Sequence, residues 1–295
     1  MKFSLVVKKW ANFYFFIQNL SEWHKNNRRD YNIFWEKEIG PFSQGEKNAL
    51  KQFKKIRSKY KPKSHFEQSF YIAKNPWKEF KKSSLVEEYR IIKKIFSLLW
   101  PKFNNLYKKD LPLLRKWQKI LNKQINNPAT IKIISRTLKI LYNAQLTQHN
   151  VNIFLLLSTP NCTGGSANID SQSIGIEISR YPLQGANQAI GIIWHELIHL
   201  YFEKKYFIPL LLRHFEKDNP SIGLILEITA SSLFPNGALG QDILQIPKSK
   251  FLNVKIPPQF NKTILNFTKK YIENEKKFDN NYIKKLLPIA QSLKK

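Results

Sequence analysis

The segment from Gln188 to Phe202 constrains the fold most, because it is almost entirely apolar yet contains three ionisable residues. Apolar side chains surround His195, Glu196 and His199, so a helix here would be buried on nearly every side. Burying two imidazoles and a carboxylate without partners costs several kcal/mol, so something must compensate for their burial. The segment therefore predicts a core helix with a polar site inside it.

The spacing of the ionisable residues within this helix predicts a zinc site. His195 and His199 are four residues apart, so they project from one helix face with Cβ atoms about 5–6 Å apart. Two imidazoles at that separation can bind one zinc ion at about 2.0–2.1 Å from each nitrogen. Glu196 lies about 100° around the helix, where it can accept a proton from a metal-bound water. The alternative is a buried histidine–glutamate hydrogen-bond cluster without a metal.

A hydrolytic zinc site needs a third protein ligand, and we predict Glu227 for that position. Glu227 is the only charged residue between Asp218 and Asp242. An isolated buried carboxylate is costly unless it meets a cation or hydrogen-bond donors. A lysine or a backbone amide remains the alternative partner for this carboxylate.

Other residues compete for the position of third ligand. His214 would complete a three-histidine site, but its polar neighbours predict an exposed turn. Glu203 lies one helical turn beyond His199, about 6 Å further along the axis, so it suits a position outside the ligands. Glu216 and Asp218 lie in charged, solvated surroundings.

The composition and apolar patterning of the chain change near residue 130, and this change predicts three parts. Residues 1–128 are expected to form a basic helical region, residues 129–245 a catalytic domain and residues 246–295 a helical tail. Within the middle part, residues 151–158 predict a buried strand, and residues 174–179 alternate like a half-exposed strand. The predicted fold class is α+β and predominantly helical, with a small antiparallel or mixed sheet.

Helical spacing and breaker residues predict the remaining elements. In the first part, apolar spacing favours helices from Val86 to Leu99 and from Leu111 to Ile125, and prolines such as Pro101 and Pro112 predict turns between short helices. Later helices are expected at residues 131–141, 188–202, 221–233, 263–274 and 282–293.

Residues 150–240 resemble the zincin superfamily of metallopeptidases through the His195-Glu196-x-x-His199 segment. With Glu227 as a ligand, they resemble its gluzincin branch. The resemblance implies that His195, His199 and Glu227 bind Zn²⁺. It further implies that Glu196 is the general base in peptide-bond hydrolysis and later protonates the leaving amine.

The same resemblance implies an edge strand before the motif helix, along which an extended peptide substrate lies. The strand at residues 174–179 occupies that place in the sequence, so Ile176 and Ile178 are the predicted substrate-binding residues. Main-chain hydrogen bonds between such a strand and an extended peptide recognise the peptide backbone rather than its side chains. The glycine-containing loop at residues 164–167 would border the cleft.

Two features of the zincin pattern stay open. Zincins usually add a side chain that stabilises the oxyanion, and Tyr201, Tyr206 and His214 are the candidates here. A third ligand at His214 would instead resemble SprT-like proteases, which act on proteins bound to DNA.

The charge balance is strongly basic, with 49 lysines and arginines against 21 acidic residues and a net charge of +28. Such a charge favours an anionic partner, such as nucleic acid or an anionic surface. A general lysine bias is the simpler explanation of this charge, because Lys, Asn and Ile are abundant while Arg is scarce. The alternative function is therefore a non-catalytic polyanion-binding protein with a structural metal site.

The chain has a single cysteine, Cys162, which excludes an intrachain disulfide and a cysteine-rich zinc site. This composition favours a reducing compartment, and we expect a cytoplasmic protein. Lysines interrupt the apolar residues at the start of the chain, so we expect no signal peptide. No stretch approaches about 20 uncharged apolar residues, so we expect no transmembrane segment. A cysteine hydrolase is a weak alternative, because the turn around Cys162 has no recognisable nucleophile context.

Overall fold

The structure is a computed structural model of the 295-residue chain. It describes residues 1–23, 29–60, 64–144, 150–168, 172–250, 252–253 and 256–293. These residues form a mostly helical arrangement around one four-stranded mixed sheet. The predicted α+β, predominantly helical fold class is therefore confirmed.

The secondary structure has strands at both ends of a long helical stretch and a helical C-terminal part. The strands are β1 (Lys2–Val6), β2 (Asn150–Leu156), β3 (Gly164–Asn168) and β4 (Ser173–Glu177). The helices before β2 are α1 (Lys9–Ser21), α2 (Arg29–Ile39), α3 (Gln44–Arg57), α4 (His65–Glu67), α5 (Pro76–Ser83), α6 (Val86–Ile125) and α7 (Pro128–Leu141). The helices after β4 are α8 (Ala186–Leu197), α9 (Ile208–Leu211), α10 (Pro220–Leu233), α11 (Ala238–Asp242), α12 (Pro258–Glu273) and α13 (Asn280–Ser292). Wider π-helical turns follow α4 (Gln68–Ile72) and α8 (Ile198–Phe207).

Strand β1 was not expected, since the sequence predicted only helices before residue 128. It pairs in parallel with β2 at one edge of the sheet, in the order β1-β2-β4-β3. Phe3 and Leu5 are buried while their neighbours are more exposed, which is the alternation expected of a strand. The strand has only five residues, so this alternation is short. The N-terminal part therefore contributes a strand to the same sheet as the central part.

The prediction that residues 174–179 form an edge strand is wrong. Strand β4 lies inside the sheet, parallel to β2 on one side and antiparallel to β3 on the other. The main chain of β4 pairs with β2 on one side and with β3 on the other, so it has no free edge for a peptide. Ile176 and Ile178 are also fully buried, so neither isoleucine is available to a substrate. The edge strand next to β4 is β3, from the segment that the sequence predicted as a loop.

The sheet separates two packed layers. Helix α8 lies on one face, where the ring of Trp194 meets the edge of Phe3 at 5.6 Å between centroids. The other face meets the N-terminal helices, and there Phe154 contacts Tyr71 at 5.5 Å. The central part of the molecule is thus enclosed on both sides, and the motif helix is fixed against the sheet.

Helix α6 is continuous for 40 residues, so the predicted turns at Pro101 and Pro112 are wrong. Both prolines lie on the exposed side of the helix. The carbonyl groups that lose a hydrogen bond there, those of Ser97 and Lys108, belong to exposed residues that water can reach. Packing of the opposite side then keeps the helix continuous.

The other predicted helices are confirmed within a few residues. Residues 131–141 lie in α7, residues 188–202 in α8 and the π-helical stretch, and residues 221–233 in α10. The last two predicted helices correspond to α12 and α13. One hydrophobic cluster extends from Phe3 to Ala290, so the expected boundaries near residues 128 and 245 do not coincide with breaks in the core.

One helical stretch among the described residues, Pro220–Asp242, is long and apolar enough to cross a membrane. The protein buries 61% of its most apolar window, which is typical of a core helix. The stretch includes α10, whose apolar character follows from its place between α8, α12 and α13.

A single buried amide joins α1 to the end of β2. Asn12 is fully buried, donates to the Leu155 carbonyl and accepts from the Leu157 N–H. We expect Asn12→Ala to lower the free energy of unfolding by about 2–4 kcal/mol, because two buried main-chain groups lose their partner. Urea denaturation measures this loss. The exposed Asn105→Ala serves as control, and equal stability of the two variants would contradict the assignment.

Candidate metal centre

The two histidines of the motif lie at the junction between α8 and the π-helical stretch. His195 is in the last turn of α8, and His199 is the second residue of the π-helical stretch. Their Nε2 atoms are 3.1 Å apart, and their rings are nearly perpendicular. His195 is buried, while the side chain of His199 is 21% exposed. The two ring nitrogens therefore face one point that is open on the His199 side.

Helix α10 brings Glu227 to the same point. One carboxylate oxygen lies 3.4 Å from Nε2 of His195, and the other lies 3.6 Å from Nε2 of His199. The three potential ligand atoms all lie within 4.8 Å of one another. The structure thus brings together the three residues that the sequence predicted as ligands, from two helices.

Each histidine is oriented by a partner on its other ring nitrogen. Nδ1 of His195 lies 3.1 Å from the carbonyl oxygen of Phe234, which can only accept a hydrogen bond. Nδ1 of His199 lies 3.0 Å from both carboxylate oxygens of Glu203. Protonated Nδ1 atoms leave the Nε2 lone pairs free to bind a cation. Glu203 therefore lies outside the ligands, as its spacing predicted.

A close approach between the loop after α10 and helix α8 supports the contact of His195. A Cβ atom on Gly191 would lie 2.8 Å from Cβ of Pro235 and 2.9 Å from Ile246. Glycine at this position of α8 therefore allows the Phe234–Pro235 loop to reach the helix one turn before His195. The carbonyl of Phe234 is held at the imidazole by this packing.

The third predicted ligand is held by a residue that sequence reasoning missed. Nδ2 of Asn253 donates to Glu227 at 2.6 Å and to the hydroxyl of Ser231 at 3.1 Å. Asn253 lies between α11 and α12, in the part of the chain that was expected to be a tail. An asparagine in a basic, irregular segment gives no signal of this role in the sequence.

Glu196 lies beside the three clustered residues, against strand β3. Burial raises the pKa of its carboxyl group, and the backbone N–H of Ala167 opposes that shift by a hydrogen bond. A Cβ atom on Gly165 would lie 2.8 Å from Cγ of Glu196 and 2.7 Å from Ile192. The strand passes this close to α8 because Gly165 has no side chain.

The electrostatics of the cluster favour positive charge at its centre. Burial alone would lower the pKa of His199, but Glu203 and Glu227 raise it to about 10. Burial likewise opposes the ionised form of Glu227, yet the two histidines hold its pKa well below the ordinary value. These shifts favour protonated imidazoles, and a metal ion would replace the protons because a histidine ligand is neutral. With both imidazoles neutral, the carboxylates of Glu196, Glu203 and Glu227 leave an excess of negative charge around the Nε2 atoms. A nitrogen–nitrogen–oxygen donor set in such a field fits a zinc ion.

The other predicted candidates lie elsewhere. His214 is exposed, and its Nε2 lies 3.0 Å from the side-chain oxygen of Asn280, outside the cluster of three ligands. The hydroxyl of Tyr206 donates to the carbonyl of Phe278. Cys162 is buried, and its sulfur lies 3.0 Å from the hydroxyl of Tyr31. Neither His214 nor Tyr206, two of the candidates for stabilising the oxyanion, therefore belongs to the cluster of three ligands.

Removal of the contact from Asn253 should weaken metal binding. We expect Asn253→Ala to bind zinc about ten- to a hundredfold more weakly, because Glu227 loses the donor that orients it. Competition with a chromophoric chelator measures the affinity. The exposed Asn281→Ala is the matched control. An Asn253→Ala affinity equal to that of the control would mean that the hydrogen bond does not orient the ligand.

Comparisons with protein-family models, with curated proteins and with solved structures found no match to this chain.

Proposed function

We propose that the protein is a zinc-dependent hydrolase that cleaves peptide bonds. The observation that carries this proposal is the convergence of His195, His199 and Glu227, whose potential ligand atoms lie within 4.8 Å of one another. Glu196 lies next to them without being one of the three, as a general base requires. A structural zinc site is usually closed by four protein ligands, whereas three ligands leave a position for water.

The residues around the cluster have separate roles in the proposed reaction. Zinc, when bound, supplies a Lewis acid and lowers the pKa of water at its open position. The carboxylate of Glu196 takes a proton from the attacking water and later delivers it to the leaving amine. The partial exposure of His199 and Glu227, 21% and 26% of their side chains, gives a substrate access to this point.

The β1 edge of the sheet is closed by side chains, whereas the β3 edge lies beside Glu196, and this difference supports a peptide substrate at β3. At the β1 edge, Gln118 donates to the carbonyl of Leu5, and the side-chain amide of Asn126 bonds both the N–H and the carbonyl of Phe3. Side chains of helix α6 and its C-cap therefore close that edge. At the β3 edge, Gly165 lies against Glu196, the proposed base.

Strand β3 therefore replaces β4 as the proposed binding strand. Ala167 pairs with Ile174 in the antiparallel ladder, and β3 is the last strand in the order β1-β2-β4-β3. A Cβ atom on Gly165, two residues earlier, would lie 2.8 Å from Cγ of Glu196, so this strand runs beside the proposed base. An extended peptide added there would present its main chain next to Glu196.

The proposed setting is a cytoplasm, which suits the single buried thiol of Cys162. The SprT-like alternative requires His214 as a ligand, and the exposed position of His214 gives it no support. The rival proposal of a non-catalytic protein with a structural metal predicts zinc binding without cleavage of any peptide.

Replacement of the proposed base separates metal binding from catalysis. We expect Glu196→Gln to keep its zinc and to lose about 10²–10⁴-fold in kcat for peptide cleavage, because the amide cannot accept the proton. Metal analysis and assay of both proteins against a mixed peptide library measure the two effects. Activity equal to that of the wild type would remove Glu196 from the mechanism. A wild type that binds zinc and cleaves nothing would favour the non-catalytic rival.

The close approach of β3 to α8 gives a second test. We expect Gly165→Ala to lower peptide cleavage about ten- to a hundredfold with zinc retained, because a methyl group would push the strand away from Glu196. Gly223→Ala is the matched control, since a Cβ atom there meets nothing within 4 Å. Equal activity of the two variants would contradict a role for β3 in substrate binding.

A further inference from the structure

The outer side of α6 is exposed and basic along most of its length. We define the basic face of α6 as its exposed cationic residues, which are Arg90, Lys93, Lys94, Lys108, Lys109, Arg115, Lys116, Lys119 and Lys123. No exposed acidic residue of α6 lies between the first and the last of them. This face is independent of the metal centre, which is built from other elements.

The charges on this face are mostly free to meet a partner. Lys109 lies 3.5 Å from Glu38, and no other ion pair reaches the face among the residues that the structure describes. Asp110, the acidic residue in the middle of the helix, is fully buried and bonds Arg180 instead. The face therefore projects positive charge without a compensating acidic row.

The cationic residues fall into three groups with unequal spacing. The groups are residues 90–94, residues 108–109 and residues 115–123. At 1.5 Å per residue, their centres are about 24 Å and about 15 Å apart. The gap between the first two groups exposes uncharged residues, such as Ser97 and Asn105. The positive charge is therefore divided into three groups along the helix, with one long and one short interval between them.

This spacing resembles that of the phosphates along a B-form duplex. A line parallel to the duplex axis crosses one wide and one narrow groove in each turn, so it meets phosphate backbones at alternating long and short intervals. The two intervals together equal one turn of about 34–36 Å. The two intervals on α6 sum to about 39 Å, again as one long and one short step.

We propose that the basic face of α6 binds the phosphate backbone of duplex DNA without sequence preference. Lysines outnumber arginines on the face, and lysine meets phosphate as a point charge without reading base edges.

Other anionic partners fit this face less well. Single strands are bound by stacking on exposed aromatic rings, and the large exposed apolar residues of the described chain include no aromatic one. Membrane surfaces require an apolar row beside the charges, whereas the large exposed apolar residues of α6 are only Val86 at its start and Leu98 between the first two groups. These two residues are separated by about three helical turns and do not form a row.

Charge removal at matched positions tests the proposal. One variant carries Lys94→Gln, Lys108→Gln, Lys116→Gln and Lys123→Gln, with at least one substitution in each group. The control carries the same change at four exposed lysines of other segments, Lys217, Lys262, Lys270 and Lys284. The probe is a random duplex DNA of about 20 base pairs, which exceeds the length of the face. Fluorescence anisotropy over a range of salt concentrations gives the affinity and its salt slope.

We expect the α6 variant to lose about two to four units of the slope of log K against log salt, because each phosphate contact contributes about 0.9. The control should lose less than one unit. Equal losses in both variants would show that net charge alone attracts the duplex and would overturn the proposal. A loss seen with anionic lipid vesicles but not with DNA would assign the face to a membrane surface and would equally overturn it.

A second measurement uses the wild-type chain, so its result does not depend on whether a substituted variant folds. Lysine acylation followed by mass spectrometry, with and without the duplex, should show protection of Lys94, Lys108, Lys116 and Lys123. Reactivity of Lys217 and Lys262 should not change. Protection of all these lysines alike would contradict a localised binding face.

Discussion

The burial of ionisable groups inside an apolar helix is the constraint on which this structure depends. Helix α8 and the following π-helical stretch bury His195 and Glu203 almost completely and Glu196 in large part. Apolar residues on both sides hold the helix against the sheet, so these groups have little water to interact with. Their burial is tolerated because each meets a partner, and a cation between the Nε2 atoms would neutralise the excess negative charge.

The site is assembled from distant parts of the chain. Its potential ligands come from α8, the π-helical stretch and α10, and the donor that orients Glu227 comes from Asn253. Strand β1, from the first residues, closes the far side of the same sheet with the help of α6. A division into an accessory region, a catalytic domain and a tail therefore describes the sequence texture better than it describes the packing.

The sequence predicted the clustering of these side chains better than the sheet around them. A four-residue histidine spacing and one acid in an apolar helix are local signals, so they indicated that His195, His199 and Glu227 would converge. Strand order is a non-local property, and the alternation of residues 174–179 does not distinguish an inner strand from an edge strand. Strand β1 was not predicted because a segment of five residues is too short to show a clear period of alternating burial.

Two further features depended on tertiary contacts that no local pattern reveals. Pro101 and Pro112 remain inside α6 because their freed carbonyls face water while the other side of the helix is packed. Asn253 acquires its role because the segment after α11 returns to α10.

X-ray absorption at the zinc edge, on protein loaded with one equivalent of zinc, shows whether His195, His199 and Glu227 bind one ion. We expect nearest neighbours of two imidazole nitrogens at about 2.0–2.1 Å and carboxylate oxygen at about 2.0–2.2 Å. His195→Ala and Glu227→Ala should each change this set of neighbours. Failure to bind zinc, or a set that is identical in both variants and the wild type, would contradict a metal centre formed by these three residues.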